Sequence, residues 1–316
     1  MSRANRSCSL AAVLLVTILV ALAQSLPSIS ATPLEASSRS SSSGSRQLAR
    51  RASNPQFEPL PNAVDFFNPL ERGGSMLTII PGPTTVGLGE PVNVIVSGRS
   101  SKSVLEPVGF LLYVTSINFG ISCLGQANGT LQQTNLGDGR GARIQGTGDG
   151  TNGVMRFNYY SPYVGTCKET FQGGNHFRWW VQNGTEANSS AIFLAASREL
   201  PLATNHMIDT DGYNRGRDEL VGNATGMTEW EGNRYNTTVT WIPAGLLLNA
   251  TSEGINHPDV ALPGQPTQDG RVAVLTVTQL AGSAANAALR GTTPGVEASL
   301  LVAAVASLVA LAMALQ

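Results

Sequence analysis

From Met76 onward, short apolar runs alternate with clusters of Gly, Pro, Asn and Ser. The runs fall at residues 77–80, 92–97, 109–116, 154–160, 176–182, 191–197, 237–242 and 272–278. They are rich in Val, Ile, Thr and aromatic side chains, which suit a pleated surface, and the breaks between them carry turn chemistry. No segment keeps an apolar stripe at helical spacing over several turns. No strand–helix–strand alternation is visible either, so a parallel crossover fold is not expected. The pattern predicts one all-β domain over residues 52–280, an antiparallel β-sandwich of Ig-like or jelly-roll-like type with long loops. Residues 137–153 hold seven glycines in seventeen positions and read as a loop. Glycine spacing there resembles a dinucleotide motif, but the strand–helix context that motif needs is missing.

Residues 175–219 concentrate candidate chemistry. In an extended chain, alternate side chains share a face. Phe177, Trp179 and Val181 then form a core face, while His176, Arg178, Trp180 and Gln182 form a mixed face opposite. The ligand-binding candidates are His176, Arg178, Trp180, His206, Asp209, Asp211 and Asp218. A structural reading competes with binding. In it the loop 205–219 folds over the mixed face and Arg178 pairs with Asp209, Asp211 or Asp218, because an unpaired buried guanidinium costs several kcal/mol.

The two ends refine this picture. Arg3 and Arg6 precede an apolar run, and Ala21-Leu22-Ala23 offers a small-x-small cleavage site, so residues 1–23 read as a secretory signal peptide. Residues 24–51 are serine-rich and are expected to be a disordered pro-segment ending in the dibasic pair Arg50-Arg51, a site for a furin- or kexin-like protease. Residues 281–297 read as anchor site and spacer, and 298–316 as the hydrophobic tail of a GPI signal, with Asn286 the preferred attachment residue and Gly282 and Ser283 as alternatives. A membrane helix would call for flanking cations.

Between Ala52 and Asn286, thirteen Lys and Arg face nineteen Asp and Glu, a formal charge of −6. That acidity argues against nucleic-acid partners. Cys123 and Cys167 are expected to pair in an oxidising compartment. Six sequons, at Asn128, Asn183, Asn188, Asn223, Asn236 and Asn249, are candidate glycan sites there.

Several motifs together resemble a fungal family of uncharacterised secreted and GPI-anchored glycoproteins. They are Cys123-Leu124-Gly125-Gln126, Asn135-Leu136-Gly137-Asp138-Gly139, Gly165-Thr166-Cys167-Lys168-Glu169-Thr170 and Gly173-Gly174-Asn175-His176-Phe177-Arg178-Trp179. Ala191-Ile192-Phe193-Leu194-Ala195, Asn205-His206-Met207-Ile208 and Gly212-Tyr213-Asn214-Arg215-Gly216-Arg217-Asp218 add to them. The resemblance spans about residues 76–278 and implies fungal origin and a surface location, but no mechanism. Residues 92–97 followed by 109–113 also resemble the opening of reeler-type Ig-like sandwiches.

Specific chemistries fare less well. Asp209-Thr210-Asp211-Gly212-Tyr213-Asn214 opens like a calcium loop, yet the fifth and twelfth positions of an EF-hand would be Tyr213 and Leu220. A transition-metal site could draw on His176 and His206 with Asp209 or Asp211, but neither histidine has a second one at local ligand spacing, so no metal site or cofactor is expected, with Ca2+ in the 209–214 loop as the alternative. No G-x-S-x-G elbow occurs, and no catalytic residue is assigned. The expectation is a non-enzymatic, GPI-anchored cell-wall or surface glycoprotein whose partner is cell-wall polysaccharide. The alternatives are a carbohydrate-active hydrolase using carboxylates within 209–231 and an adhesion protein with a surface-protein partner.

Overall fold

The computed structural model describes residues 54–121, 123, 130–147 and 150–282. The signal peptide, the pro-segment, Arg50-Arg51, Asn128, Asn286 and the hydrophobic tail lie outside them. The described strands are β1 (Val94–Val96), β2 (Phe119–Ile121), β3 (Gln133–Asn135), β4 (Ala142–Ile144), β5 (Asn152–Phe157), β6 (Gly174–Asn183), β7 (Asn188–Glu199), β8 (Gly226–Trp230), β9 (Asn233–Ile242) and β10 (Val272–Ala281). The helices are α1 (Lys102–Leu105), α2 (Pro107–Ser116), α3 (Gly165–Gln172) and α4 (Gly212–Ala224). Strands dominate, in line with the all-β class that the apolar pattern predicts.

Eight strands form one sheet in the order β2-β5-β6-β7-β1-β10-β9-β8, and β3 and β4 make a separate ribbon. The sheet is mixed. Every pair in it is antiparallel except β1 and β10, where Val94 lies opposite Ala273 with the strands running the same way. This corrects the purely antiparallel expectation. Tight hairpins impose antiparallel pairing, but β1 and β10 are joined by most of the domain, and so long a connection permits either direction.

The sheet curls around α2. That helix lies against both edge strands, β2 and β8. Laid flat, eight strands at ~4.8 Å spacing would hold those edges about 34 Å apart, while a helix is only about 10–12 Å wide. Phe110 of α2 stacks on Trp179 at 4.8 Å between centroids, and Tyr113 meets Tyr235 at 5.4 Å. The Tyr113 hydroxyl lies 3.1 Å from the Thr237 hydroxyl.

Residues 109–116, read as a strand from their apolar and β-branched content, are therefore helical. Pro107 opens the helix at a position where its missing N–H costs nothing, and Gly109, Phe110, Tyr113 and Val114 turn inward at helical spacing. The expected reeler-like pair of strands is corrected with it. Residues 77–80 make only single bridges, Leu77 to Pro91 and Ile79 to Gln133.

The central strands are buried on both faces. On the α2 face pack Val94, Val96, Phe177, Trp179, Val181, Ile192, Leu194 and Leu275. On the other pack Ile95, Trp180, Phe193, Ala195 and Val274, covered by Met76, Leu136, Leu246 and Leu247. This explains the nearly unbroken apolar runs in β1, β7 and β10, which a half-solvated sheet would not tolerate. Cys123 and Cys167 are joined by a disulfide with Cα atoms 4.6 Å apart, which ties the stretch after β2 to α3.

Candidate functional site

At one end of β5, β6 and β7 the strand alternation sorts neighbouring residues to opposite faces. Arg156, His176 and Glu199 go to one side, and Phe157, Asn175 and Arg198 to the other. The first set forms a buried ionic network and the second lines a cleft.

In the network, Arg156 Nη1 donates to Glu169 Oε2 and to Glu199 Oε2, each at 2.8 Å. Arg178 Nη1 donates to Glu90 Oε2 at 2.9 Å and to His176 Nε2 at 3.0 Å. Accepting from a guanidinium requires a bare Nε2, which a neutral His176 supplies; Nε2 also lies 3.4 Å from Glu199 Oε1. The pKa direction agrees. Burial pushes the His176 imidazolium down to about 3, with Arg178 and Arg156 adding repulsion. His206 approaches from the loop after β7, its Nδ1 3.3 Å from Glu199 Oε2.

The two acidic neighbours of Arg156 differ. Burial raises Glu169 to about 7, and Arg156 offsets this only in part because Glu199 repels a second negative charge. Burial also pushes Glu199 upward, but its cationic neighbours outweigh that and hold it well below the usual carboxylate range. Since His176 is neutral at pH 7, the hydrogen-bonding His206 ring and the cations Arg156 and Arg178 carry that effect there. Once Glu169 takes up its proton, as pH falls through about 7, those two arginines balance Glu199 and Glu90. A buried cluster without net charge is the arrangement that minimises desolvation cost.

On the opposite face lies a cleft of about 280 Å3. Phe157, Tyr159 and Tyr160 form one wall, with Phe157 meeting Tyr159 at 5.1 Å and Tyr160 at 5.5 Å. Glu219, Gly222 and Asn223 of α4 form the facing wall, and Gly174, Asn175 and Arg198 lie between. Arg198 Nη1 donates to both carboxylate oxygens of Glu219 at 3.0 Å, and its Nε to Asp209 Oδ2 at 3.2 Å. The Arg198 and Glu219 side chains are 33% and 38% exposed, so both keep hydrogen-bonding capacity for a ligand.

The aromatic wall is held under strain. Tyr159 and Tyr160 have φ of 48° and 61°, left-handed conformations that cost a non-glycine residue roughly 1–2 kcal/mol each. Asn158 imposes them. It is buried, its Oδ1 accepts from Tyr160 N at 3.0 Å and its carbonyl from Ser161 N at 2.8 Å. Gly165 lets α3 start directly against it, since a Cβ there would stand 1.4 Å from Asn158 O. The Tyr159 hydroxyl donates to Gly173 O at 2.7 Å, and Lys168 Nζ sits 4.4 Å from its ring. Tyr160 is left 73% exposed at the rim.

The residues singled out in the sequence are divided by this geometry. His176, Arg178 and Trp180 are buried, and Trp180 Nε1 donates to Arg143 O at 3.1 Å, so none offers a face to solvent. Arg178 is paired, but with Glu90 rather than with an acidic residue of 205–219. That loop serves other cations: Asp209 takes Arg198 and Arg215, Asp218 takes Arg217, and Asp211 accepts from Asn214. Asp209–Asn214 is thus a hydrogen-bonded turn into α4. Among the described residues no cluster of three His, Cys, Asp or Glu is placed to hold a metal ion. Of the sequons, Asn188 and Asn249 are exposed, and Asn183, Asn223 and Asn236 are half-buried. Sequence reading missed Glu90, Glu169 and Glu199, and the tyrosine pair with Arg198; Glu219 falls among the carboxylates of 209–231 that the hydrolase alternative names.

No protein-family model matches the chain, and neither the curated proteins nor the solved structures include a significant match.

Proposed function

We propose that this chain is a non-catalytic, glycosylated surface protein, GPI-anchored through its C-terminal signal, whose domain binds a saccharide in the cleft between Tyr160 and Glu219. The observation that carries the reading is the pairing of two strained tyrosines, Tyr160 exposed and Tyr159 half-buried, with a half-exposed Arg198–Glu219 pair in a sugar-ring-sized recess. Aromatic faces pack on the C–H surface of a pyranose, and an arginine–carboxylate pair supplies donors and acceptors for its hydroxyls. At about 280 Å3 the cleft sits at the lower edge of the ~300–1,000 Å3 typical of ligand pockets, which favours a single ring over a long chain.

The hydrolase alternative gains no support from residues 209–231. Asp209, Asp218, Glu219 and Glu229 each face an arginine, in pairs that suit structure or binding better than general acid–base work. Glu169, the carboxyl raised to about 7, is buried and does not line the cleft.

The test is an oligosaccharide array followed by calorimetry on the strongest hit. Tyr160→Ala should weaken that binding at least about tenfold, or ~1.4 kcal/mol. An array signal indifferent to Tyr160→Ala overturns the reading. For the anchor, phosphatidylinositol-specific phospholipase C should release the protein from membranes. Retention until detergent is added, with residues 298–315 still attached, overturns that part.

A further inference from the structure

Asn223 belongs to a sequon, Asn223-Ala224-Thr225, and is also one of the residues that line the cleft. The other described sequons, at Asn183, Asn188, Asn236 and Asn249, do not line it. Helical side chains lean toward the helix N-terminus, and positions four apart lie one above the other. Asn223 therefore leans toward Glu219, the cleft residue one turn earlier in α4. A sugar attached at Asn223 Nδ2 starts at the mouth of the recess, with Glu219 beneath it and Tyr160 across from it.

We infer that the saccharide occupying the cleft of the glycosylated protein is its own: the first sugar of an N-glycan on Asn223, folded back against Tyr160 and closing the cleft to outside ligands. This rests on the reading of the cleft as a saccharide site and adds its regulation. Tethering makes the argument quantitative. An attached ring is present at an effective concentration in the millimolar range, so even a weak intrinsic preference keeps the cleft covered. A free saccharide then competes only where Asn223 is unmodified or its glycan has been trimmed.

Attachment draws on a lipid-pyrophosphate-linked oligosaccharide. The bond from sugar C1 to the pyrophosphate oxygen breaks, a bond from C1 to Asn223 Nδ2 forms, the lipid pyrophosphate leaves and one amide proton is lost. In the folded domain the Thr225 hydroxyl donates to Val221 O at 2.7 Å. The hydroxyl that sequon recognition reads is thereby engaged, which places the transfer before α4 is complete.

The experiment uses the full chain secreted from a glycosylating eukaryotic host, with Asn223→Gln and Thr225→Ala as two independent ways to remove the sequon. Glycopeptide mass spectrometry should find Asn223 occupied. Nitration of surface tyrosines should modify Tyr160 about fivefold more slowly in the wild type than in either variant, the protection given by ~1 kcal/mol of docking preference. Tyr163, 82% exposed and outside the cleft lining, is the internal control and should react equally in all three proteins. Both variants should also bind the array hit more tightly than the wild type. An unmodified Asn223, or equal Tyr160 rates in all three, overturns the inference. If Tyr160 is unmasked in the variants but no oligosaccharide binds them, the external-ligand reading falls and the self-docked glycan stands.

Discussion

Arg156 and Arg198 stand at the same end of one sheet, on β5 and β7, and each lies between two carboxylates. Arg156 meets Glu169 and Glu199, and Arg198 meets Glu219 and Asp209. They point to opposite faces, and burial makes them different objects. The Arg156 side chain is 1% exposed, and its neighbour Glu169 is pushed up to about 7. The Arg198 side chain is one-third exposed, and solvent screens its pairs. One arginine is locked inside the fold, and the other sits between its two carboxylates at the surface. Identical ion-pair stoichiometry therefore says little about role until the face is known.

The sharpest way to break this comparison is to truncate both arginines. Arg156→Ala should cost about 3–5 kcal/mol, because buried Glu199 loses its cation and buried Glu169 its hydrogen-bond donor. Arg198→Ala should cost no more than about 1 kcal/mol, the value of a screened surface pair. Urea midpoints measure both, and equal losses would erase the distinction.

Next in size is the pH dependence. Glu169 takes up a proton in the folded state near pH 7 that the unfolded chain refuses until about 4.5, so stability from this group grows as pH falls through that window. His176 acts oppositely. The unfolded imidazole is protonated near 6.5 and the folded one only near 3, so stability is lost as pH falls between those values. Glu199, depressed when folded, adds a further loss once pH falls below the ordinary carboxylate value of 4.5. The wild type should be nearly flat between pH 6.5 and 4.5 and decline steeply below. Glu169→Gln removes the opposing contribution, so its decline should begin at pH 6.5, diverging by on the order of 2–3 kcal/mol by pH 4.5. Parallel thermal-melting profiles for the two proteins would contradict the assignment.

The smallest expected effect is a gain. Tyr160 is largely exposed and left-handed, so Tyr160→Gly relieves strain and loses little packing. It should stabilise by roughly 0.5–1 kcal/mol, after allowing for the greater freedom of glycine when unfolded. A loss of stability would mean that the ring packs more tightly than its exposure indicates.

Part of this was legible in the sequence. The two faces of β6 follow from simple alternation, and Phe177, Trp179 and Val181 pack in the core as expected, but the opposite face is buried too, with Trp180 in the second core. The need for a partner at Arg178 also follows from the cost of a bare buried cation. The partner's identity does not, because Glu90 lies 88 residues away and an isolated glutamate after Gly89 carries no local signal. Glu169 and Glu199 were equally hidden, on different elements and brought together only by sheet order. The helix α2 was misread because Val108, Leu111 and Leu112, on its outer side, are as apolar as its core positions, so no polar stripe marked a period of 3.6. The one available cue was Glu106-Pro107, an extended residue followed by a proline suited to a first helical turn. The cleft draws residues from three strands, a turn and a helix, a combination that no linear motif encodes.

The parallel pairing of β1 with β10 has a consequence for how the chain is made. The centre of the sheet joins residues near 95 to residues near 274, so the core stays unfinished until almost the whole domain has emerged. At synthesis rates of about 5–20 residues per second, roughly 10–40 s separate the two strands. Contacts this distant in sequence also form slowly. All six sequons precede β10, Asn223 among them, so each is made while the sheet is still open. The last strand to be made is therefore also the clock: only its arrival lets the centre of the sheet close.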